Sequence, residues 1–324
     1  MTRIGFALFI IISLATVSSC VRKHERIAVE SLPSPTVFYR FDEAFFACPS
    51  QELMPCLADL EEVFFPFFQT GDSLFWYRQR TDSLMLKLKQ LVSERSEEVE
   101  LALERSDNVL KRFEYFFPGS TPSFCYTYIS PLDFDFPLFI ADTLVFVALD
   151  QYLGPDADVY AGRPRYLNRG KSLQYLPLDL AEQLAIQQAR RPHKPDELLS
   201  LMIYEGKLIY LANQLNPDAP THQLLRYTEE EWNFCLENEA NIWSYLIEQQ
   251  QLFSAESDLR RRLIEPAPFS KFYLPIDNQT PGRLGRWVGY RIVSKRMEEG
   301  NMTLEQLMQA TDARQFLRES RYKP

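Results

Sequence analysis

The residues with the types and spacing for chemistry lie between Leu178 and Leu211. Ala181-Glu182-Gln183-Leu184-Ala185 is followed, 20 positions after Ala185, by Glu205 in Tyr204-Glu205-Gly206-Lys207. Histidines at 181 and 185 would make this an H-E-x-x-H helix. Two imidazoles one turn apart would then hold zinc, the glutamate would activate bound water, and the later glutamate would be a third ligand. The chain has alanine at both positions, and alanine has no lone pair to give. Glu182 and Glu205 by themselves suit at most a weakly held hard cation completed by other oxygens. The plainer use of Ala181 and Ala185 is packing, since small residues sharing one helix face let a neighbouring helix come close. The expectation is a remnant cleft around Ala181, Glu182, Ala185 and Glu205, with no metal, no cofactor and no catalytic residues.

Little else competes for a catalytic role. The histidines are His24, His193 and His222, none paired at metal-ligand spacing, so zinc binding and a Ser-His-Asp triad lack material. No G-x-S-x-G, Walker loop or G-x-G-x-x-G occurs. Among 44 acidic residues no glycosidase pair can be singled out without geometry. The other distinctive segment is Pro281 to Val293, PGRLGRWVGYRIV. Gly282, Gly285 and Gly289 put small residues on one helix flank at a cost of about 1 kcal/mol each relative to alanine. Close helix packing is the expected compensation. Arg283 and Arg286 at the helix start could bind a carboxylate or an acidic partner. With Trp287 and Tyr290 they form the expected interaction surface.

The elements that must position these residues follow from periodicity. Leu178–Leu211 reads as two helices, 179–189 and 196–215, joined by a turn at Arg191-Pro192-His193-Lys194-Pro195. Phe38–Phe46 is aromatic and fits a short strand or a helix onset. The spacing predicts a helix over 51–68 and one or two helices over 72–117, stopped at Pro118-Gly119. Phe124–Ile129, Pro137–Asp142 and Thr143–Leu149 are β-branched and aromatic, predicting two or three strands. A long ordered loop over 150–169 is expected. Thr228 with Glu231 and Thr303 with Gln306 are capping boxes, each opening a helix. The 266–281 segment should be irregular, and 282–298 helical. The predicted fold is mainly α with a small β-sheet, in one domain over 36–324.

The ends and the composition bound the setting. Arg3, an apolar run from Ile4 to Val17 and Val17-Ser18-Ser19-Cys20 describe an export signal over 1–19, too short to span a bilayer comfortably. Ending at Cys20 it resembles a bacterial lipobox, so Cys20 is the expected lipidation site and 20–35 a tether. Several acyl chains on Cys20 would anchor the chain stably to a membrane. An apolar fraction of 46%, with 24 Phe and 16 Tyr, gives a substantial core built from large side chains. A net charge of −9 argues against nucleic acid as a partner. A bridge between Cys48 and Cys56 is available in an oxidising compartment, while Cys125 and Cys235 suit buried thiols.

Several separated motifs resemble one family. The lipobox, YTYIS at 126–130, FVALDQYL at 146–153, YAGRPRY at 160–166, MIYEGKLIY at 202–210, ENEANIWSY at 237–245 and PGRLGRWVGYRIV are similar to the GldB family of Bacteroidetes gliding-motility lipoproteins. The resemblance implies a cell-envelope lipoprotein with protein partners in a motility or type IX secretion apparatus. The segment after Cys20 lacks the acidic run that marks surface display in such lipoproteins, so a periplasm-facing position on the outer membrane is expected. GldB-like chains also resemble a predicted zinc peptidase family. That similarity puts Ala181 and Ala185 at the zinc histidines, Glu182 at the general base and Glu205 at the third ligand, and implies a zincin-like, degenerate metallopeptidase-like α+β fold. The expected function is non-catalytic support of motility or secretion through protein interaction. The alternative is a hydrolase, or a peptide- or glycan-binding protein, using a nonstandard cleft around Glu182 and Glu205.

Overall fold

In the computed structural model, which describes residues 28–69 and 71–324, the aromatic run at 38–46 divides in two. Strand β1 (Val37–Arg40) passes directly into helix α1 (Phe41–Ala47). Strands β2 (Phe124–Tyr128), β3 (Leu138–Ala141) and β4 (Leu144–Ala148) complete one sheet in the order β1-β2-β4-β3. β1, β2 and β4 run parallel, and β3 is the antiparallel edge strand, turned back through Asp142 at φ +51°. Tyr126 sits opposite Phe146, and Phe139 opposite Phe146 from the other side.

Alternation along the strands gives the sheet two different faces. Tyr126 and Phe146, with Tyr39 and Phe139 beside them, project into an aromatic cluster. Cys125, Val145 and Val147 project into the larger, mostly aliphatic core. The aromatic face is covered by α1, α2 (Leu53–Leu60) and α3 (Ser73–Thr81) through Phe41, Phe45, Leu53, Leu57 and Trp76. A Cys48–Cys56 disulfide ties α1 to α2, while Cys125 and Cys235 are buried free thiols. The helix expected over 51–68 ends at Leu60. Pro66, which has no N–H to donate, sits in a separate short turn at Phe65–Phe67 that carries Phe64 and Phe67 into the cluster.

The 72–117 region forms three helices, α3, α4 (Ser83–Ser93) and α5 (Ser96–Phe116). Asp72 accepts from the Phe75 N–H and Asp82 from the Met85 N–H. Each aspartate starts its own helix, which is why one continuous pattern is cut. The loop before the central helices holds the short α6 (Arg165–Asn168). On the aliphatic face lie α7 (Leu176–Gln188) and α8 (Leu198–Leu215), the pair expected around the proline turn. After α9 (Thr221–Leu224) the capping box at Thr228 opens α10 (Glu229–Glu237), and Asn238 breaks the run before α11 (Glu239–Glu248). α12 (Ser257–Leu263) leads into the irregular 266–281 segment, then come α13 (Leu284–Glu298), α14 (Leu304–Gln309) and α15 (Ala313–Ser320).

The signal segment and Cys20 lie outside the described residues. The end of the expected tether does not hang free: Val29 is fully buried, and Ser34 bonds Asp107 of α5. Among the described residues no helix is long and apolar enough to cross a membrane.

Candidate functional site

α8 and α13 cross at two glycines. A Cβ on Gly206 would lie 2.2 Å from the Gly289 carbonyl carbon, and one on Gly289 would lie 1.7 Å from the Met202 carbonyl oxygen. Neither position admits a side chain, so the two backbones touch. The glycine flank is therefore a packing surface. Arg286 lies three residues before Gly289, on the same flank, so the crossing that brings Gly289 against α8 also carries Arg286 to Glu205. α7 packs beside α8, and its Glu182 reaches the same guanidinium.

Arg286 sits between the two glutamates. Its Nη2 donates to Glu182 Oε1 at 2.5 Å, and its Nε lies 2.7 Å from Glu205 Oε2. The second contact is an ion pair without an aligned hydrogen bond, because the Nε–H points off the line. Arg283 Nη2 stands 4.0 Å from the same Glu205 oxygen, and its Nε donates to the Ile264 carbonyl at 3.0 Å. Arg283 is in the left-handed region, at φ +61°. Arg286 is 1% exposed, and both glutamates keep a partly open edge.

Electrostatics follow from this layout. Burial alone would raise Glu182, but Arg286, then Arg283 and Arg226, outweigh it and hold the carboxyl below its ordinary value. Burial would lower Arg286, and Glu182 and Glu205 reverse that, so its charge is fixed. Arg283 is pulled down to about 10 by burial and by the neighbouring Arg286.

Glu182 and Glu205 thus meet, as an H-E-x-x-H layout with a later glutamate requires, but what they meet at is a guanidinium. Ala181 and Ala185 are fully buried and carry no donor. The residues do not fit zinc: two carboxylates are already satisfied by a cation that would repel a metal. Among the described residues no group of three or more His, Cys, Asp or Glu side chains could hold one. The expected interaction surface needs correction. Arg286 and Trp287 are 1% and 0% exposed, because α13 is enclosed on nearly all sides by α8, α12 and α15. Only Arg283 and Tyr290 of that set are partly open. The carboxylates expected near Arg286 are the chain's own.

The model of the family described as "Gliding motility protein GldB" matches residues 22–324, nearly the whole chain. The chain belongs to the GldB family. Membership makes it a gliding-motility-associated protein, and the lipoprotein character of the family associates it with the cell envelope. Comparison with curated proteins and with solved structures finds no match.

The group extends beyond the four residues read from sequence. Asp179, one turn before Glu182 on α7, accepts from the Tyr152 hydroxyl at 2.9 Å and pairs with Arg226. Burial raises Asp179 and Arg226 opposes the rise. Arg226 also lies over the Tyr175 ring, 4.5 Å from its centroid. The i, i+3 spacing of Asp179 and Glu182 was the available signal for this group. Nothing local in sequence marks Arg226 as its partner.

Beside it, Asp150, in the Leu149–Gln151 turn just after β4, is fully buried and accepts from the Ser130 and Leu132 N–H groups at 2.7 and 2.8 Å. Gln151 accepts from Lys171 Nζ at 3.0 Å. Asp150 fixes the turn after β2, where Leu132 has φ +64°. Its role is to hold the loop that borders the site.

Proposed function

We propose that this GldB-family chain is a non-catalytic, lipid-anchored envelope protein that supports gliding motility or type IX secretion by binding protein partners. We infer a zincin-like scaffold in which a guanidinium has taken the metal's place. The observation that carries the reading is Arg286, buried between Glu182 and Glu205 while Ala181 and Ala185 are sealed in the core. A general base must be free to accept a proton from substrate or bound water. Glu182 is instead held as a carboxylate by an arginine it cannot deprotonate. The scaffold reading is further supported by the layout: the sheet precedes α7, β3 packs against that helix, and α8 delivers Glu205. Acylation of Cys20 and a periplasm-facing position on the outer membrane belong to the same proposal.

The test combines metal analysis with a gliding assay. Purified mature protein is expected to carry no stoichiometric zinc. Glu182→Gln and Glu205→Gln cells are expected to glide in proportion to the amount of folded protein. Stoichiometric zinc that disappears in Glu182→Gln, or loss of gliding at full protein level in that variant, would sink the non-catalytic reading. Palmitate labelling lost in Cys20→Ser checks the anchor.

A further inference from the structure

Next to the Glu182–Arg286–Glu205 group is a cleft of about 220 Å³ whose charge is opposite to that of the whole protein. Arg169, Lys171, Arg226 and Arg283 line it, and Asp179 is the one lining carboxylate. Its remaining walls include Pro137, Leu225, Pro266 and Ala267. We propose that this cleft binds a carboxylate carried on an apolar stem.

Charge balance selects the class of ligand. The cleft cations and Arg286 number five. The carboxylates they meet are Asp179, Glu182, Glu205 and Glu231, the last holding Arg169 through Nη1 at 2.8 Å. One positive charge is left over. Arg163 and Asp150, which also act on Lys171, cancel each other. A single carboxylate neutralises the cluster, whereas a phosphate dianion overshoots it. Among the described residues, Lys171 is the cation of this group with no carboxylate within bonding distance. Its Nζ bonds only the neutral Gln151 amide oxygen and lies 5.6 Å from the Phe134 ring centroid. Burial draws Lys171 down to about 8; Asp179 and Asp150 hold it up, and Arg163 and Arg226 press it down. An anion in the cleft would hold the Lys171 charge against that burial.

The walls are built for close approach. A Cβ on Gly170 would lie 2.7 Å from Arg226 Nε, although its backbone does not require glycine, so the missing side chain is what leaves room for the guanidinium. A Cβ on Gly282 would lie 2.0 Å from the Ala267 carbonyl oxygen, which closes the apolar wall against the start of α13. The volume is below the range usual for drug-sized ligands. It suits the end of a molecule, such as a small acid or the C-terminus of a peptide.

The full mature chain would be titrated with N-acetyl-leucine, N-acetyl-leucinamide, inorganic phosphate and a leucine-terminated pentapeptide, read by calorimetry and by amide shifts. N-acetyl-leucine is expected to bind about tenfold or more tightly than its amide, the loss expected for hydrogen bonds to a charged group. Its shifts should centre on residues 166–171 and 225–227. Tighter binding of the pentapeptide assigns the carboxylate to a chain terminus, and equal binding assigns it to a small acid. Lys171→Met should weaken the acid about fivefold or more, with recovery in Lys171→Arg. If Lys171→Met does not fold, the acid-to-amide ratio and the shift map on the unaltered chain decide alone. Equal binding of acid and amide, phosphate binding as tightly as N-acetyl-leucine, or shifts elsewhere would overturn the assignment. The motility role stands or falls separately, in the gliding assay.

Discussion

Arg286 reaches two glutamates on two different helices, and its removal leaves Glu205 with Arg283 at 4.0 Å and Glu182 with only the weaker pull of Arg283 and Arg226. Breaking a buried ion pair from one side costs about 3–5 kcal/mol, because the abandoned charge keeps its desolvation penalty. Arg286→Met is therefore expected to lower unfolding free energy by about that amount, measured by urea titration. Adding Glu182→Gln and Glu205→Gln to Arg286→Met should recover part of the loss, since the triple variant no longer buries unpaired charge. A triple variant less stable than Arg286→Met would remove the ion-pair explanation. Acid should act on the same group. Glu182 has a folded value below 4.5, so below that pH the unfolded chain binds more protons than the folded one. Its contribution is complete above the unfolded value and is lost as pH falls through the folded value. Asp179, raised above 3.8, works in the opposite direction: its burial cost eases as pH falls. The melting temperature of Glu182→Gln should then fall less steeply than wild type between about pH 5 and pH 3. Equal slopes would mean that Glu182 carries none of the acid sensitivity.

The α8–α13 crossing is what makes that residue geometry possible. Gly206 and Gly289 remove the side chains that would hold the two backbones apart, and Arg286 rides on the same flank. Glycine inside a helix weakens it on its own account, so the compensation is the contact and the ion pairs it permits. Gly289→Ala must push Met202 and its helix away, and overpacking of this kind costs up to about 3 kcal/mol or more. Gly300→Ala is the control: its backbone is at φ +69° with open space around it, so only the left-handed conformation is penalised, by about 1–2 kcal/mol. Thermal melts should rank Gly289→Ala clearly below Gly300→Ala; the reverse order would mean that the helices can separate cheaply. This contact was partly legible beforehand, because glycines at 285 and 289 share a flank and their cost has to be met. The depth of α13 was not legible. Arginine, tryptophan and tyrosine around those glycines read as a surface, and only the enclosing helices show that Arg286 and Trp287 are interior. The apolar spacing over 72–117 predicted one or two helices, and the third comes from the aspartate caps at 72 and 82, whose bonds to the Phe75 and Met85 N–H groups only the structure shows.

At the scale of the molecule, the two-faced sheet joins two bodies of different character, and it was the β-branched and aromatic runs between 124 and 149 that made the sheet legible. What covers each face was not legible, because coverage depends on contacts far apart in sequence. Phe41, Phe64 and Trp76 converge on Tyr126 and Phe146 only after the chain has folded across β1 and β2. The helical body holds the Arg286 group inside a large core, whereas the aromatic body is small and relies on rings and on Cys48–Cys56. A bridge that closes so short a loop, eight residues in separation, is worth about 2–3 kcal/mol through the unfolded chain. Loss of the bridge should therefore fall on one body. In Cys48→Ser/Cys56→Ser, hydrogen exchange is expected to speed up across α1, α2 and α3, while amides in α7, α8 and α13 keep their protection. Local opening of this kind follows from stability being unequal across a fold. If instead all six helices lose protection by the same factor, the sheet couples its two faces into one cooperative unit. The Arg286 group would then depend on the distant disulfide as much as on its own helices.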